Sequence, residues 1–536
     1  MAEAGAQVAR APVSSRAARR SEGAGETSHG RPVATASASL WPLYVLIALA
    51  AAVRLSTIDL QSFWFDEAFT PVYVIHPSFT ATMSTVAKTE NTPPLWYVLI
   101  WIWTRVFGTG VVAMRLPSAF FGIALVPVCW AIGSELGGRR AAIAAAAVVA
   151  FNPLLVWYSQ EARAYELFAL TGALAILCFL RAEREPTGRR MAMFALTGSL
   201  AMLSHYFAVF LLIPMALWLL RRRERWRVAV PAVATIGVVG LALVPLLLAQ
   251  GGNGTQWIGE WALKSRLEAI PDYYLTGYSG APLGHAIELL VALPILAALA
   301  YGLWRRLDAR ESRGALIAFA LAACGVLIPI AIIAVGADYL APRNLIAAMI
   351  PVTVVIAVVG AARATGRIGP ALIALVAVAF LAICIDVDLS PRLQRGDWKG
   401  LARVLEQAPP GTPAKVASAS GVAPVEAGSR VIATVHLGSA PLEYYIPGLH
   451  RLRSTPSVRV TEIDEVGYAP LLPTATKPPA PGFRLVSHRD IEGLDVYRFV
   501  SSVPRVVSAS TLRVARVTQT KEGINVLAPN RMPIRG

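Results

Sequence analysis

Charged residues are scarce in this sequence. Asp, Glu, Lys and Arg make up 15% of the 536 residues, hydrophobic residues make up 55%, and the mean hydropathy is +0.55. Soluble domains carry about 25% charged residues, so the composition excludes a soluble globular protein and predicts many membrane crossings. The net charge of +16 does not indicate nucleic-acid binding. The arginines lie mainly in short loops between apolar runs, where they set membrane orientation.

Cysteine is also scarce, and the N-terminus lacks an apolar leader. The cysteines all fall inside apolar runs, which argues against a disulfide framework or a metal cluster and predicts small core side chains. They are Cys129, Cys178, Cys324 and Cys384. The first 38 residues are rich in Ala, Ser, Arg and Gly, so we expect a disordered tail rather than a cleaved signal peptide.

Apolar runs recur from about residue 40 to residue 387. One helical crossing needs roughly 20 residues, which leaves the run 93–107 short and the run 191–220 long. All arginine clusters lie on one side of the membrane only if 93–107 is interfacial and 191–220 is a hairpin that turns near His205. This arrangement predicts about eleven transmembrane helices, a cytoplasmic N-terminus and an extracytoplasmic C-terminus.

The composition changes after residue 387. An amphipathic helix beginning at Trp398 and strands near 431–436, 482–487 and 494–500 predict a small α/β domain. The predicted fold class is a polytopic α-helical membrane protein with this domain outside the membrane. The predicted organisation is a disordered cytoplasmic tail at 1–38, a transmembrane catalytic domain at 39–387, an extracytoplasmic α/β domain at 388–502 and a basic tail at 503–536.

Two adjacent carboxylates, Asp66 and Glu67, follow three aromatic residues shortly after the first apolar run. They fall on the predicted outer face of the membrane. One interpretation is a solvated loop that caps the next helix. The other is a functional site, because charges near a bilayer that are not basic anchors are frequently functional. We therefore take both as candidate catalytic residues, with Asp66 as the base.

Glu161, Arg163 and His205 are further candidates on the same predicted face. Glu161 and Arg163 could form a second polar wall facing Asp66. The alternative is an ion pair within one helix, with Arg163 between Glu161 and Glu166. His205 lies at the predicted outer turn, where it could bind substrate or be a satisfied core histidine.

Arg343 lies at the predicted outer end of a crossing helix, against the usual distribution of arginine. A guanidinium group at this place matches a phosphate group, and Tyr339 and Asn344 lie beside it as candidate helpers. With a phosphate as leaving group, one carboxylate base and one cation would suffice to attach a hydroxyl to an anomeric carbon. In-line attack would invert the configuration, without the carboxyl pair of glycoside hydrolases.

Six short motifs follow one another along the chain between residues 63 and 346. Together they resemble the motifs of the GT-C glycosyltransferases of the family 39 type, whose relatives include protein O-mannosyltransferases and the lipid A aminoarabinose transferase. The resemblance covers roughly residues 40 to 360. A later Gly-Asp-Trp-Lys-Gly-Leu-Ala (396–402) is similar to bacterial members. The six motifs are Phe-Trp-Phe-Asp-Glu-Ala (63–68), Asn-Thr-Pro-Pro-Leu-Trp-Tyr (91–97), Arg-Leu-Pro-Ser-Ala (115–119), Tyr-Ser-Gln-Glu-Ala-Arg-Ala-Tyr (158–165), Ser-His-Tyr-Phe (204–207) and Arg-Asn-Leu-Ile (343–346).

The resemblance implies a GT-C fold and an inverting transfer of a sugar, such as mannose or arabinose, from a polyprenyl-phosphate donor. The acceptor would be a glycan, lipid or protein of the bacterial cell envelope. The resemblance implies that Asp66 is the base, and Arg163 matches the family firmly. No cofactor is certain: metal dependence varies among relatives, so a divalent metal stays open, although no metal site is legible. A transporter or lipid flippase, or a catalytically inactive GT-C-like assembly subunit, are the alternatives.

Overall fold

The computed structural model describes residues 39–278, 285–406, 429–451, 457–469, 473–512 and 524–529. The predicted tail at 1–38 lies outside these ranges, as do parts of the predicted loop 250–283 and of the tail 503–536. One compact unit begins at Trp41 and contains both the helical part and the C-terminal sheet.

The membrane part is helical, which confirms the predicted fold class and a multi-pass membrane protein. The described residues contain seven helical segments long and apolar enough to cross a membrane. They are Val111–Gly137, Tyr165–Arg184, Arg223–Gln250, Ala286–Trp304, Ala309–Val335, Pro342–Gly360 and Ile368–Leu389. An eighth crossing is obtained if Arg139–Phe151 and Pro153–Ser159, which meet at 56°, are one bent span.

The prediction of about eleven crossings also counted three shorter helices, Trp41–Leu55, Gly188–Ser204 and Ala208–Leu220. At 1.5 Å per residue the longest of them reaches only about 26 Å, so the count by length is lower than predicted. The chain does reverse near His205, between the second and third of these helices. The remaining helices of the membrane part are Phe65–Phe69, Phe79–Thr89, Leu95–Phe107, Gln256–Glu260 and Leu263–Thr276.

Small residues allow the central helices to approach closely. Val111–Gly137 passes into the alanine-rich helix Arg139–Phe151 at Gly138, whose φ of 79° favours glycine. A Cβ atom on Gly133 would lie 2.6 Å from the carbonyl oxygen of Ala141. Because hydrocarbon surroundings give little hydrophobic drive between helices, such close contact is a main source of helix association in a membrane.

The C-terminal part contains a six-stranded sheet of β1 (Ser429–Val435), β2 (Leu449–Arg451), β3 (Ser457–Tyr468), β4 (Arg484–Ile491), β5 (Leu494–Ser508) and β6 (Ile524–Pro529). The order is β2-β6-β1-β3-β5-β4, with β1 and β3 parallel and the other neighbours antiparallel. Its helices are Trp398–Glu406, Ser439–Tyr445 and Ala509–Leu512. The proposed boundary at 503 falls inside β5, and β6 lies within the sheet; the domain boundaries stay predictions.

Residues of the C-terminal part form hydrogen bonds with Ser62 and Phe63, which lie just before Asp66 in the chain. The hydroxyl group of Ser62 donates to the carbonyl of Gly396 at 2.9 Å and accepts from the backbone N–H of Trp398 at 3.0 Å. The backbone N–H of Phe63 donates to the hydroxyl group of Tyr445 at 2.7 Å. The position of Asp66 therefore depends on both parts of the chain.

Candidate active site

Asp66 and Arg343 are in contact, although 277 residues separate them in the sequence. Nη1 of Arg343 donates to Oδ2 of Asp66 at 3.2 Å, and the two side chains are 21% and 22% exposed. Asp66 lies in the short helix Phe65–Phe69, and Arg343 lies at the beginning of the span Pro342–Gly360. The structure thus brings together the two residues on which the sequence prediction depends most.

Two aromatic rings, each from a different helix, lie against the guanidinium group of Arg343. Its Cζ lies 5.1 Å from the ring centre of Trp257 and 5.7 Å from that of Tyr165, within the range of cation–π attraction. Among the described residues, Nη1 is the only atom of this guanidinium that makes a hydrogen bond. Because arginine has five N–H donors, the group can bind an anion while it contacts Asp66.

Arg343 lines a cavity of ≈ 400 Å³ with a mainly apolar wall. Tyr339 and Asn344 also line it, and the side-chain amide of Asn344 donates to the carbonyl of Tyr339 at 3.0 Å. The apolar wall includes Met202, Val209, Phe210, Leu243, Val244, Leu247, Ile258 and Ile332. Such a cavity suits an amphiphile whose anionic end lies at Arg343 and whose hydrocarbon part follows the wall.

His205 presents a hydrogen-bond donor to this cavity. Its ring stacks on Phe168 with centroids 4.7 Å apart, and its Nδ1 accepts from the backbone N–H of Phe207 at 3.2 Å. Burial, together with the charges of Arg343 and Arg163, lowers the pKa of His205 to about 3. The ring is therefore neutral near pH 7, and because Nδ1 is an acceptor, the proton is assigned to Nε2.

Arg163 lies in the bend between the helices Pro153–Ser159 and Tyr165–Arg184, and it makes its ion pair with a residue of another segment. Its Nη1 lies 3.1 Å from Oε2 of Glu90 and 3.5 Å from the backbone carbonyl oxygen of Asp66. The hydroxyl group of Tyr97 donates to the same oxygen of Glu90. The alternative of an ion pair with Glu161 or Glu166 is therefore not what the structure has. Arg163 fixes the backbone of Asp66 and does not line the cavity.

Glu67 points into a fully buried network. Both of its oxygens accept from Arg115, at 2.7 Å each, and the backbone N–H groups of Ala162 and Trp64 add bonds of 2.9 and 3.1 Å. Burial opposes ionisation of Glu67, but the charges of Arg115 and Arg395 and these hydrogen bonds hold its pKa below the ordinary value. Neither Glu67 nor Asp66 lines the cavity beside Arg343.

Glu161 belongs to the same buried network. Its Oε2 accepts from Nη2 of Arg395 at 2.8 Å. The guanidinium group of Arg395 also lies 4.1 Å from the ring centre of Trp157 and 3.9 Å from Oε2 of Glu67. Glu161 therefore links the Asp66 segment to the residues that lead into the sheet domain, and it also lies within electrostatic range of Asp66 and Arg343.

Sequence reasoning missed three charged partners, Arg115, Glu90 and Arg395. Arg115 carried a usable signal: it lies near the beginning of an apolar span on the same side as Arg343, which is the anomaly that identified Arg343. Glu90 and Arg395 lie in loops and gave no comparable signal. The described residues contain no group of three or more His, Cys, Asp or Glu side chains that could hold a metal ion.

The chain resembles known proteins in part of its sequence and in its fold. The family model for dolichyl-phosphate-mannose-protein mannosyltransferase matches residues 91–248. The structure of ArnT from Cupriavidus metallidurans bound to undecaprenyl phosphate is similar, with a TM-score of 0.50, 11% identity, and coverage of 86% of this chain and 98% of that one. The apo structure of the same protein has a TM-score of 0.50 and 12% identity, and the match covers 85% of this chain and 97% of that chain.

A second protein is less similar. The apo oligosaccharyltransferase of Archaeoglobus fulgidus has a TM-score of 0.45 and 13% identity. The match covers 75% of this chain and 63% of the oligosaccharyltransferase chain. No functionally curated protein matches the chain in sequence. The chain therefore shares the GT-C fold of ArnT, and the mannosyltransferase family model matches the part of it from residue 91 to residue 248.

Proposed function

We propose that this protein is an inverting glycosyltransferase that moves a sugar from a polyprenyl-phosphate donor to a cell-envelope acceptor. The observation that carries the proposal is the 3.2 Å contact between Asp66 and Arg343 beside an apolar cavity. In the proposed orientation the site faces outward from a bacterial plasma membrane, and the N-terminus is cytoplasmic. The sugar would be mannose, arabinose or a related sugar, and the acceptor a glycan, lipid or protein.

The donor would bind with its phosphate at Arg343. The N–H donors that Arg343 does not use toward Asp66 would contact the phosphate oxygens, and Nε2–H of His205 would add a neutral donor. Tyr339 and Asn344 would border the phosphate. The polyprenyl chain would follow the apolar wall from Met202 to Leu247. Undecaprenyl phosphate, which the Cupriavidus ArnT structure contains, has this combination of anionic end and long hydrocarbon chain.

Asp66 would act as the base. It takes the proton of the acceptor hydroxyl group as that oxygen forms a bond to the anomeric carbon. The bond between this carbon and the phosphate oxygen breaks, and its electron pair remains on the phosphate, where Arg343 stabilises the added charge. Attack opposite the leaving group inverts the anomeric configuration. Glu67, whose oxygens are occupied by Arg115, would position this segment and would not contact substrate.

The decisive experiment is the replacement of Asp66 by Asn in the full chain in lipid nanodiscs. Transfer from polyprenyl-phosphate mannose and arabinose donors should fall by about 10²- to 10⁴-fold, the usual contribution of a general base. Binding of polyprenyl phosphate should persist. The exposed Asp490, far from the site in the sequence and in β4, provides the control Asp490→Asn, which should keep full transfer. Full transfer in Asp66→Asn would overturn the proposed base.

Substitutions of Arg343 test the donor-binding site separately from the proposed base. Arg343→Ala should weaken binding of polyprenyl phosphate, whereas Arg343→Lys should retain part of it, because lysine keeps the charge and loses the fork of donors. Undiminished binding in Arg343→Ala would overturn the phosphate site. Movement of the lipid-linked sugar across liposome membranes without any covalent product would instead indicate a transporter or flippase.

A further inference from the structure

A second cavity, of ≈ 430 Å³, lies where the membrane part meets the sheet domain. It shares no lining residue with the cavity beside Arg343. The membrane part contributes Phe107 and the first turns of the span Val111–Gly137, and the sheet domain contributes Lys399 and Tyr445. Nothing in the proposed sugar transfer uses this cavity.

The wall on the membrane side is apolar and continues onto the outer surface of the helices. Phe107, Val111, Val112, Ala113 and Leu116 line the cavity. Phe107 and Val112 are themselves exposed, as are the large apolar side chains Ile102, Val106 and Phe120 on the same two helices. In a membrane protein such a surface is covered by hydrocarbon chains. The continuity of cavity and surface therefore favours a lipid as occupant over a soluble molecule.

The polar part of the cavity lining carries one charge of each sign. Lys399 and Asp59 both line it, and both are exposed. Neither forms an ion pair within the ranges that the structure describes, and they do not pair with one another. Tyr445 accepts a hydrogen bond from the backbone of Phe63 at 2.7 Å, so its own hydroxyl hydrogen stays available. The lining thus offers a cation, a carboxylate and a neutral donor together with an apolar wall.

We propose that this cavity binds a zwitterionic phospholipid with a primary ammonium group, of the phosphatidylethanolamine type. Lys399 and the hydroxyl group of Tyr445 contact the phosphate, and Asp59 contacts the ammonium group. The acyl chains lie against Phe107, Val112 and the neighbouring apolar residues. An adjoining polar cavity of ≈ 170 Å³ leaves room for the headgroup; it shares Gln61, Ser62 and Lys399 and adds the charged residues Arg395, Asp397, Arg403 and Glu492.

The bound lipid would contact the segment that carries the candidate base. Gln61 and Ser62 line the cavity, and Ser62 connects this segment to Gly396 and Trp398 by hydrogen bonds. The lipid would therefore stabilise the junction between the membrane part and the sheet domain. This role does not depend on the sugar or on the acceptor.

The test is lipid binding by the delipidated full chain, and native mass spectrometry measures which lipid is retained. The probes are phosphatidylethanolamine, phosphatidylglycerol and phosphatidylcholine of matched chain length. We expect one phosphatidylethanolamine to be retained more strongly than either other lipid. Lys399→Ala and Asp59→Asn should each reduce its retention by about 3- to 5-fold, the scale of one partly exposed ion pair. Binding of polyprenyl phosphate should not change in these variants.

Matched controls separate the site from general surface charge. Arg392→Ala and Asp490→Asn remove exposed charges that line neither cavity, and retention should be unchanged. Val112→Trp, which fills the apolar end, should lower retention of the lipid. Equal retention of phosphatidylglycerol and phosphatidylethanolamine, or a loss in Lys399→Ala without a loss in Asp59→Asn, would overturn the zwitterionic headgroup. Unchanged retention in all three cavity variants would overturn the site.

Discussion

Glu67 and Arg115 form two parallel hydrogen bonds of 2.7 Å, and their side chains are 0% and 1% exposed. Asp66, the neighbour of Glu67, is partly exposed and contacts Arg343 beside the apolar cavity. Adjacent residues on a short helix point in different directions, so one acid can be part of the framework while the other stays accessible. The two acids should therefore respond differently to the same substitution.

Glu67→Gln should destabilise the protein, whereas Asp66→Asn should leave its stability nearly unchanged. Removing the charge of Glu67 leaves Arg115 buried without its partner, which costs about 3–5 kcal/mol in comparable cases. The measurement is the thermal unfolding midpoint of both variants in the same detergent. Equal midpoints for Glu67→Gln and the unmodified protein would contradict the structural role of this pair.

The same pair should make the protein sensitive to acid. The pKa of Glu67 in the folded protein lies below its ordinary value of 4.5. Its stabilising contribution is therefore complete above about pH 4.5 and is lost as the pH falls through the lowered pKa. The measurement is the thermal unfolding midpoint at a series of pH values below 4.5. As the pH falls, this midpoint should decrease less for Glu67→Gln than for the unmodified protein.

His205 should act as a neutral hydrogen-bond donor. His205→Gln can place an N–H group near the position of Nε2 and should keep most of the affinity for polyprenyl phosphate. His205→Phe keeps the stacking on Phe168 but loses the donor, and its affinity should fall by roughly 5-fold, the value of one neutral hydrogen bond. Because the pKa of His205 is about 3, the difference should be constant between pH 5.5 and pH 8. A difference that grows toward pH 5.5 would indicate a charged ring.

Arg395 should couple the sheet domain to the candidate site. Arg395→Ala leaves Glu161 buried without its 2.8 Å partner, which should lower the unfolding midpoint and reduce transfer. Arg395→Ala combined with Glu161→Gln should recover part of the stability, because the unpaired carboxylate is removed as well. A double-mutant cycle on the unfolding midpoints measures this coupling, and additive effects would contradict a direct interaction.

Gly122 should not tolerate a side chain. A Cβ atom there would lie 2.7 Å from Cβ of Ser159 and 2.8 Å from Nε of Arg54. Gly122→Ala should therefore destabilise the protein by about 1–3 kcal/mol, as overpacking does in other cores. Gly237→Ala is the matched control, since nothing lies within 4 Å of that Cβ position. Similar unfolding midpoints for the two variants would contradict the close packing at Gly122.

The sequence by itself determined the membrane class, the helical fold and most of the C-terminal secondary structure. Hydrophobic run length and charge scarcity are local properties, so they can be read without knowing any long-range contact. The alternation in 494–500 predicted β5 for the same reason. The anomalous position of Arg343 in the charge pattern also identified it as a candidate site residue.

Only the tertiary structure decided which charges meet. Arg163 pairs with Glu90 rather than with Glu161, and Glu67 pairs with Arg115 although the sequence placed it beside Asp66 in function. These partners are 73 and 48 residues apart, and no periodicity relates them. Buried charges must find a partner to offset desolvation, but helix packing determines which partner is within reach. That is why the sequence identified Asp66 and Arg343 as candidates, and the fold alone brought them to 3.2 Å.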